Sequence, residues 1–125
     1  AALTAGLAKD PAKRAAALAR RSSENLRMGA VKIVKDGSIQ GYTARLKWPG
    51  YITGHPNGIW NVPPSQLAAL VDTLHAAGIQ MHIHVNGDEA SEVALDALDR
   101  AIRKHGGGDH RVLRRCSRGL GRVAL

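Results

Sequence analysis

The spacing of apolar positions along the chain switches between the period of a helix and the period of a strand. Asp10 and Pro11 open the first helical stretch, Asp as an N-cap and Pro in the first turn. Its body is the Ala- and Arg-rich run from Ala12 to Arg21, and Ser22 and Ser23 break it. Val31, Ile33 and Val34 then predict a short strand that Asp36-Gly37 ends. Leu67, Leu70, Val71 and Leu74 fall at helical spacing after Pro63-Pro64-Ser65, with Gly78 as the stop. Ile79-Gln80-Met81-His82-Ile83-His84-Val85 predicts a second strand. Asn86-Gly87-Asp88 turns the chain, with Asp88 as the expected N-cap of a third helix. Ala90, Val93, Ala94, Ala97, Leu98, Ala101 and Ile102 form the buried face of that helix, and Gly106-Gly107-Gly108 ends it.

Between the first strand and the second helix, residues 38–62 keep neither period and carry Gly41, Pro49, Gly50, Gly54, Pro56 and Gly58. A loop of this length in a compact domain is functional or disordered. Tyr42, Trp48, Tyr51, Ile52, Ile59 and Trp60 argue for an ordered loop over a site. Strands alternating with helices predict an α/β fold of parallel βα units. Two strands alone leave open edges, so the segment is expected to belong to a larger sheet or to pair with another chain.

Composition narrows the function classes. The chain has 125 residues, a net charge of +8 and an apolar share of 44%, with no Phe. Five arginines, Arg111, Arg114, Arg115, Arg118 and Arg122, lie after residue 110 with no acid among them, and without them the charge falls to +3. No aromatic side chain interleaves with these arginines, which argues against a nucleic-acid partner. The single cysteine, Cys116, rules out an intrachain disulfide and suits a reducing, cytoplasmic setting. No apolar run approaches the ~20 residues of a membrane span. Ala1 stands first and the last residues carry no stop signal, so both ends read as cuts.

Ligands in parallel βα folds gather at the C-terminal ends of the strands. Lys32 and Asp36 on the first strand and His84 and Asp88 on the second therefore face one rim. A neutral imidazole is the commonest metal ligand, yet a strand histidine taken alone is more often a buried, hydrogen-bonded side chain, so His84 stays open between the two. His82 shares its face, as a second ligand or as interior filling. Lys32 is a snorkelling side chain or a functional lysine; in a desolvated pocket it would react with carbon dioxide to a carbamate that ligates metal. Asp36 and Asp88 double as turn and cap residues. His55, His75, His105 and His110 are expected at the surface, and Cys116 has no base partner nearby in sequence.

The stretch from Val31 to Ala44, VKIVKDGSIQGYTA, and the stretch from His84 to Ala90, HVNGDEA, resemble two signatures of the amidohydrolase superfamily, nearest to amidohydrolase family 3 and its N-substituted formamide deformylase-like branch. The resemblance spans residues 20–111. It implies a fragment of a TIM (β/α)8-type metal-dependent hydrolase barrel. It also implies one or two divalent metal ions, zinc by preference, and metal-activated water attacking amides and other non-peptide carbon–nitrogen bonds. It carries His84 onto a metal ligand of the fifth strand and Lys32 onto the fourth, where a carboxylated lysine bridges metals. His82 is a further candidate ligand, Lys32 and Asp36 candidate catalytic residues, and Gly37, Tyr42 and Asp88 candidate substrate contacts. The implied partner is a small amide-type molecule, with a homo-oligomer open and no nucleic acid or membrane. One departure stands out: the family's next strand ends in Glu-His or Gln-His, and Arg115 occupies the ligand's place. The chain thus divides into a partial barrel segment, residues 1–110, and an atypical basic tail, 111–125. The segment itself is expected to be inactive. The alternative reading is a non-catalytic relic or a small basic nucleic-acid-binding domain.

Overall fold

A computed structural model describes residues 2–4, 10–27, 29–114 and 122–124. In order these form β1 (Ala2–Thr4), α1 (Pro11–Ala19), β2 (Ala30–Val34), α2 (Pro64–Ala76), β3 (Met81–Val85), α3 (Asp88–His105), β4 (Arg111–Arg114) and β5 (Arg122–Ala124). The five strands make one sheet in the order in which they occur in the chain. The pairs β1–β2, β2–β3 and β3–β4 are parallel; β5 returns antiparallel to β4. The strands expected at 31–34 and 79–85 are present. The tail contributes strand as well: Arg111–Arg114 sit in the sheet although their sequence lacks strand alternation, because β3 offers a parallel edge to pair with.

The two faces of the sheet differ. Val31 and Ile33 of β2 and Met81, Ile83 and Val85 of β3 are buried in one core with Ala15 of α1, Leu67, Val71 and Leu74 of α2, and Ala90, Ala94, Ala97, Leu98 and Ala101 of α3. The helices therefore cover a single face. On the other face Lys32 is exposed and Val34, His82 and His84 are half-buried. Sequential parallel strands with helices on one side only form a singly wound arc. A doubly wound sheet would cover both faces and reverse its strand order.

The caps follow the sequence with one shift. Asp10 caps α1, its Oδ1 accepting from the Lys13 amide at 3.2 Å. Gly78 takes a left-handed φ of 68° just beyond α2, a conformation that costs glycine little. Asp88 is the first residue of α3 rather than its N-cap; Gly87 holds the cap position. The reason lies in the loop before α2, whose Lys47 amide takes the Asp88 carboxylate at 2.9 Å. None of the described helices is long and apolar enough to cross a membrane.

Candidate functional site

Strand β2 sets the first half of the site. Its two-residue alternation sends Val31 and Ile33 into the helix-facing core and Lys32 and Val34 to the open face. Strand β3 repeats the alternation one place over, so His82 and His84 join them. Register pairs Lys32 with His82 and Val34 with His84. The three candidate ligands thus share one face, with His84 near the C-terminal end of β3. Lys32 is exposed there, not desolvated, because none of the described helices covers this side.

Asp36 joins the two strand ends. It is 1% exposed. Its Oδ1 accepts from the Asn86 amide at 2.9 Å, and its Oδ2 accepts from the amides of Gly87 at 2.8 Å and Arg45 at 3.0 Å. A carboxylate receiving the amides that lead into α3 sits where backbone donors and the positive end of the helix dipole favour an anion. The geometry therefore commits Asp36 to holding three backbone segments together. Asn86 extends the link: its Nδ2 donates to the Gly37 carbonyl at 2.6 Å and lies 3.4 Å from His84 Nε2. Gly87 permits the close approach, since a Cβ there would lie 1.7 Å from the Arg45 carbonyl oxygen.

The loop of residues 38–62 is pinned over this junction. Arg45 makes a two-pronged ion pair with Glu89 of α3, Nε to Oε2 at 2.9 Å and Nη2 to Oε1 at 3.0 Å, and its third donor reaches the Gly58 carbonyl at 3.2 Å. Tyr42 adopts a left-handed φ of 54° and stacks on His55 with ring centroids 3.7 Å apart. Together with Ile39, Leu46, Tyr51 and Ile52 it walls an open, mainly apolar cup of about 350 Å³. Asp88, by contrast, is engaged with the amides of Lys47 and Glu89.

The sequence reading missed a second lysine. Lys35 is fully buried, donates to the Val62 carbonyl and lies 3.9 Å from the centroid of the Trp60 ring. Burial pulls its pKa down to about 8, against the opposing pull of Asp36, with Arg45 adding to the depression. The signal was present in the alternation of Val31 and Ile33, which continues onto Lys35, and in the aromatic ring of Trp60. His75 and His110, expected at the surface, are also buried. Arg115 and Cys116 lie outside the described residues.

A singly wound βα arc, with polar side chains on the face its described helices leave uncovered and its loops gathered at the strand ends, is the architecture of a segment of a (β/α) barrel. The amidohydrolase family profile matches residues 2–121, so the chain belongs to the amidohydrolase family. It is 30% identical over 95 residues to "Putative amidohydrolase YtcJ" of Bacillus subtilis, covering 76% of this chain and 18% of that protein. It is 32% identical over 90 residues to "Protein LONG AFTER FAR-RED 3" of Arabidopsis thaliana, covering 71% of this chain and 15% of that protein. The chain therefore spans less than a fifth of the length of these relatives. No solved structure matches.

Proposed function

We propose that this chain supplies the β2–β3 portion of a metal-dependent hydrolase that cleaves carbon–nitrogen bonds other than peptide bonds, such as those of amides. One observation carries the reading: Lys32 lies opposite His82 in register, and His84 follows on the same sheet face, which the described helices leave uncovered. Imidazole nitrogens suit a zinc-like cation. The fit is partial, because no group of three His, Cys, Asp or Glu side chains that could hold an ion occurs among the described residues. Such an ion, when bound, supplies Lewis-acid polarisation and water activation.

In this reading His84 is the principal ligand, its Nε2 exchanging the 3.4 Å contact with Asn86 Nδ2 for the ion, and His82 and the carboxylated form of Lys32 are the neighbouring donors on the same face. Asp36 is a positioning residue that fixes the ends of β2 and β3. The loop from Gly37 through Tyr42 receives the substrate's apolar substituent in the cup beside it. With an incomplete donor set the chain alone does not turn over. Calorimetric zinc titration of the purified 125-residue chain tests this. Weak binding that disappears in His84→Ala, with no hydrolysis of simple amides, is the expected result. Tight stoichiometric binding with turnover would place a complete site within these residues and overturn the partial-site reading. Binding unchanged by His84→Ala would remove that imidazole from the ligand set.

A further inference from the structure

A second buried polar cluster lies at the other end of the sheet, where α2 and α3 finish and where β3 and β4 begin. His75, in the last turn of α2, places Nδ1 2.6 Å from Nε2 of His110, the residue before β4. The Met81 amide, at the start of β3, donates to His110 Nδ1 at 3.3 Å. His75 Nε2 lies 2.8 Å from the carbonyl of Gly106, the C-cap residue of α3. Both rings are only 7% exposed.

The two ends of this chain of contacts fix every proton in it. An amide N–H can only donate, so His110 Nδ1 accepts and the ring carries its hydrogen on Nε2. A carbonyl can only accept, so His75 carries its hydrogen on Nε2 and accepts at Nδ1. One consistent arrangement follows, Met81 N–H to His110, His110 to His75, and His75 to the Gly106 carbonyl, with both rings neutral. A second proton on His110 would sit on Nδ1, against the Met81 N–H. A second proton on His75 would sit on its Nδ1, against the hydrogen of His110 Nε2. Either cation replaces a hydrogen bond by two facing donors.

We propose that His75 and His110 form a proton-ordered latch, closed only while both rings are neutral, that ties the ends of α2 and α3 to the starts of β3 and β4 and opens on acidification. The charged groups around it act in both directions. Asp109, held by Gln80 at 2.9 Å, favours a cation on His110. His105, with its ring centroid 5.9 Å from that of His75, and Lys104 both bind Asp72, which offsets their charge. Arg111 of β4 is exposed beside the latch. Burial, reinforced by the neighbouring His75, keeps His110 below its ordinary value of 6.5. Its neutral form is thus favoured by the fold, and the stability it contributes is lost as pH falls from 6.5 through that lowered value. The latch stands directly before β4, which pairs with β3 opposite His82 and His84.

Nitrogen-15 NMR of the histidine rings in the unaltered 125-residue chain tests the latch without relying on any variant to fold. The expected spectrum has both His75 and His110 as the Nε2–H tautomer at neutral pH, with His110 titrating at lower pH than in the urea-unfolded chain. Hydrogen exchange of the Met81 amide, corrected for the intrinsic rate, should show protection at neutral pH that falls as His110 titrates. An Nδ1–H tautomer on either ring, or titration of His110 at its unfolded-chain value, would overturn the proposal. So would Met81 protection that is absent at neutral pH or indifferent to pH.

Discussion

The two ends of the sheet are each closed by a buried polar cluster, and the clusters use opposite chemistry. At the strand C-termini one carboxylate, Asp36, gathers the amides of Arg45, Asn86 and Gly87. At the strand N-termini two neutral imidazoles connect one amide to one carbonyl. The difference comes from what each end of a βα unit presents. The start of α3 offers unpaired N–H donors, which an anion satisfies together. The end of α3 offers a carbonyl and the start of β3 an amide, and neutral rings, which donate on one side and accept on the other, fit between them. One end therefore gathers several donors on a single acceptor, and the other passes one hydrogen-bond chain from an amide to a carbonyl.

Breaking the charged end should have the largest effect. Asp36→Ala leaves three amide donors without their acceptor, and a loss of about 3 kcal/mol or more is expected by urea denaturation. A loss under about 1 kcal/mol would mean that the junction does not depend on the carboxylate. Gly87→Ala tests the close approach at the same place without altering charge. The added Cβ meets the Arg45 carbonyl oxygen at 1.7 Å, so overpacking of about 1–3 kcal/mol is expected; unchanged stability would show that the loop yields.

Lys35→Met sharpens the comparison with the smallest effect. Burial holds the Lys35 pKa at about 8 against an ordinary 10.5, so the unfolded chain binds more protons between these values. The unaltered chain should therefore gain stability as pH rises from about 8 towards 10.5, and Lys35→Met should lack that gain. Parallel pH profiles of melting temperature for the two chains would refute it.

Much of the architecture was legible in the sequence because its signals are local. The apolar spacing of Leu67, Val71 and Leu74 and of Ala90, Ala94 and Ala101 gave two helices and their buried faces. The Asp10 cap and the Gly78 stop are set by backbone preferences within a few residues. The two blocks around Lys32 and His84 gave the family before any geometry, and the residues 2–121 that match its profile agree. Strand β4 was not legible, because its pattern is overridden by the parallel edge that β3 provides.

By itself, then, the sequence determined the alternation of βα units, their buried faces and the face shared by Lys32, His82 and His84, since each depends on a period of two or of 3.6 residues. Only the tertiary structure decided which polar groups are buried. Asp36, His75 and His110 look no different in sequence from exposed residues of the same type, and for Lys35 the alternation of β2 gives the face but not the partners. Their surroundings come from segments 27 to 51 residues away, namely Val62 for Lys35, Asn86 and Gly87 for Asp36, and each other for the two histidines. Burial and hydrogen bonding of a polar group belong to contacts between distant parts of the chain, and no local pattern encodes them.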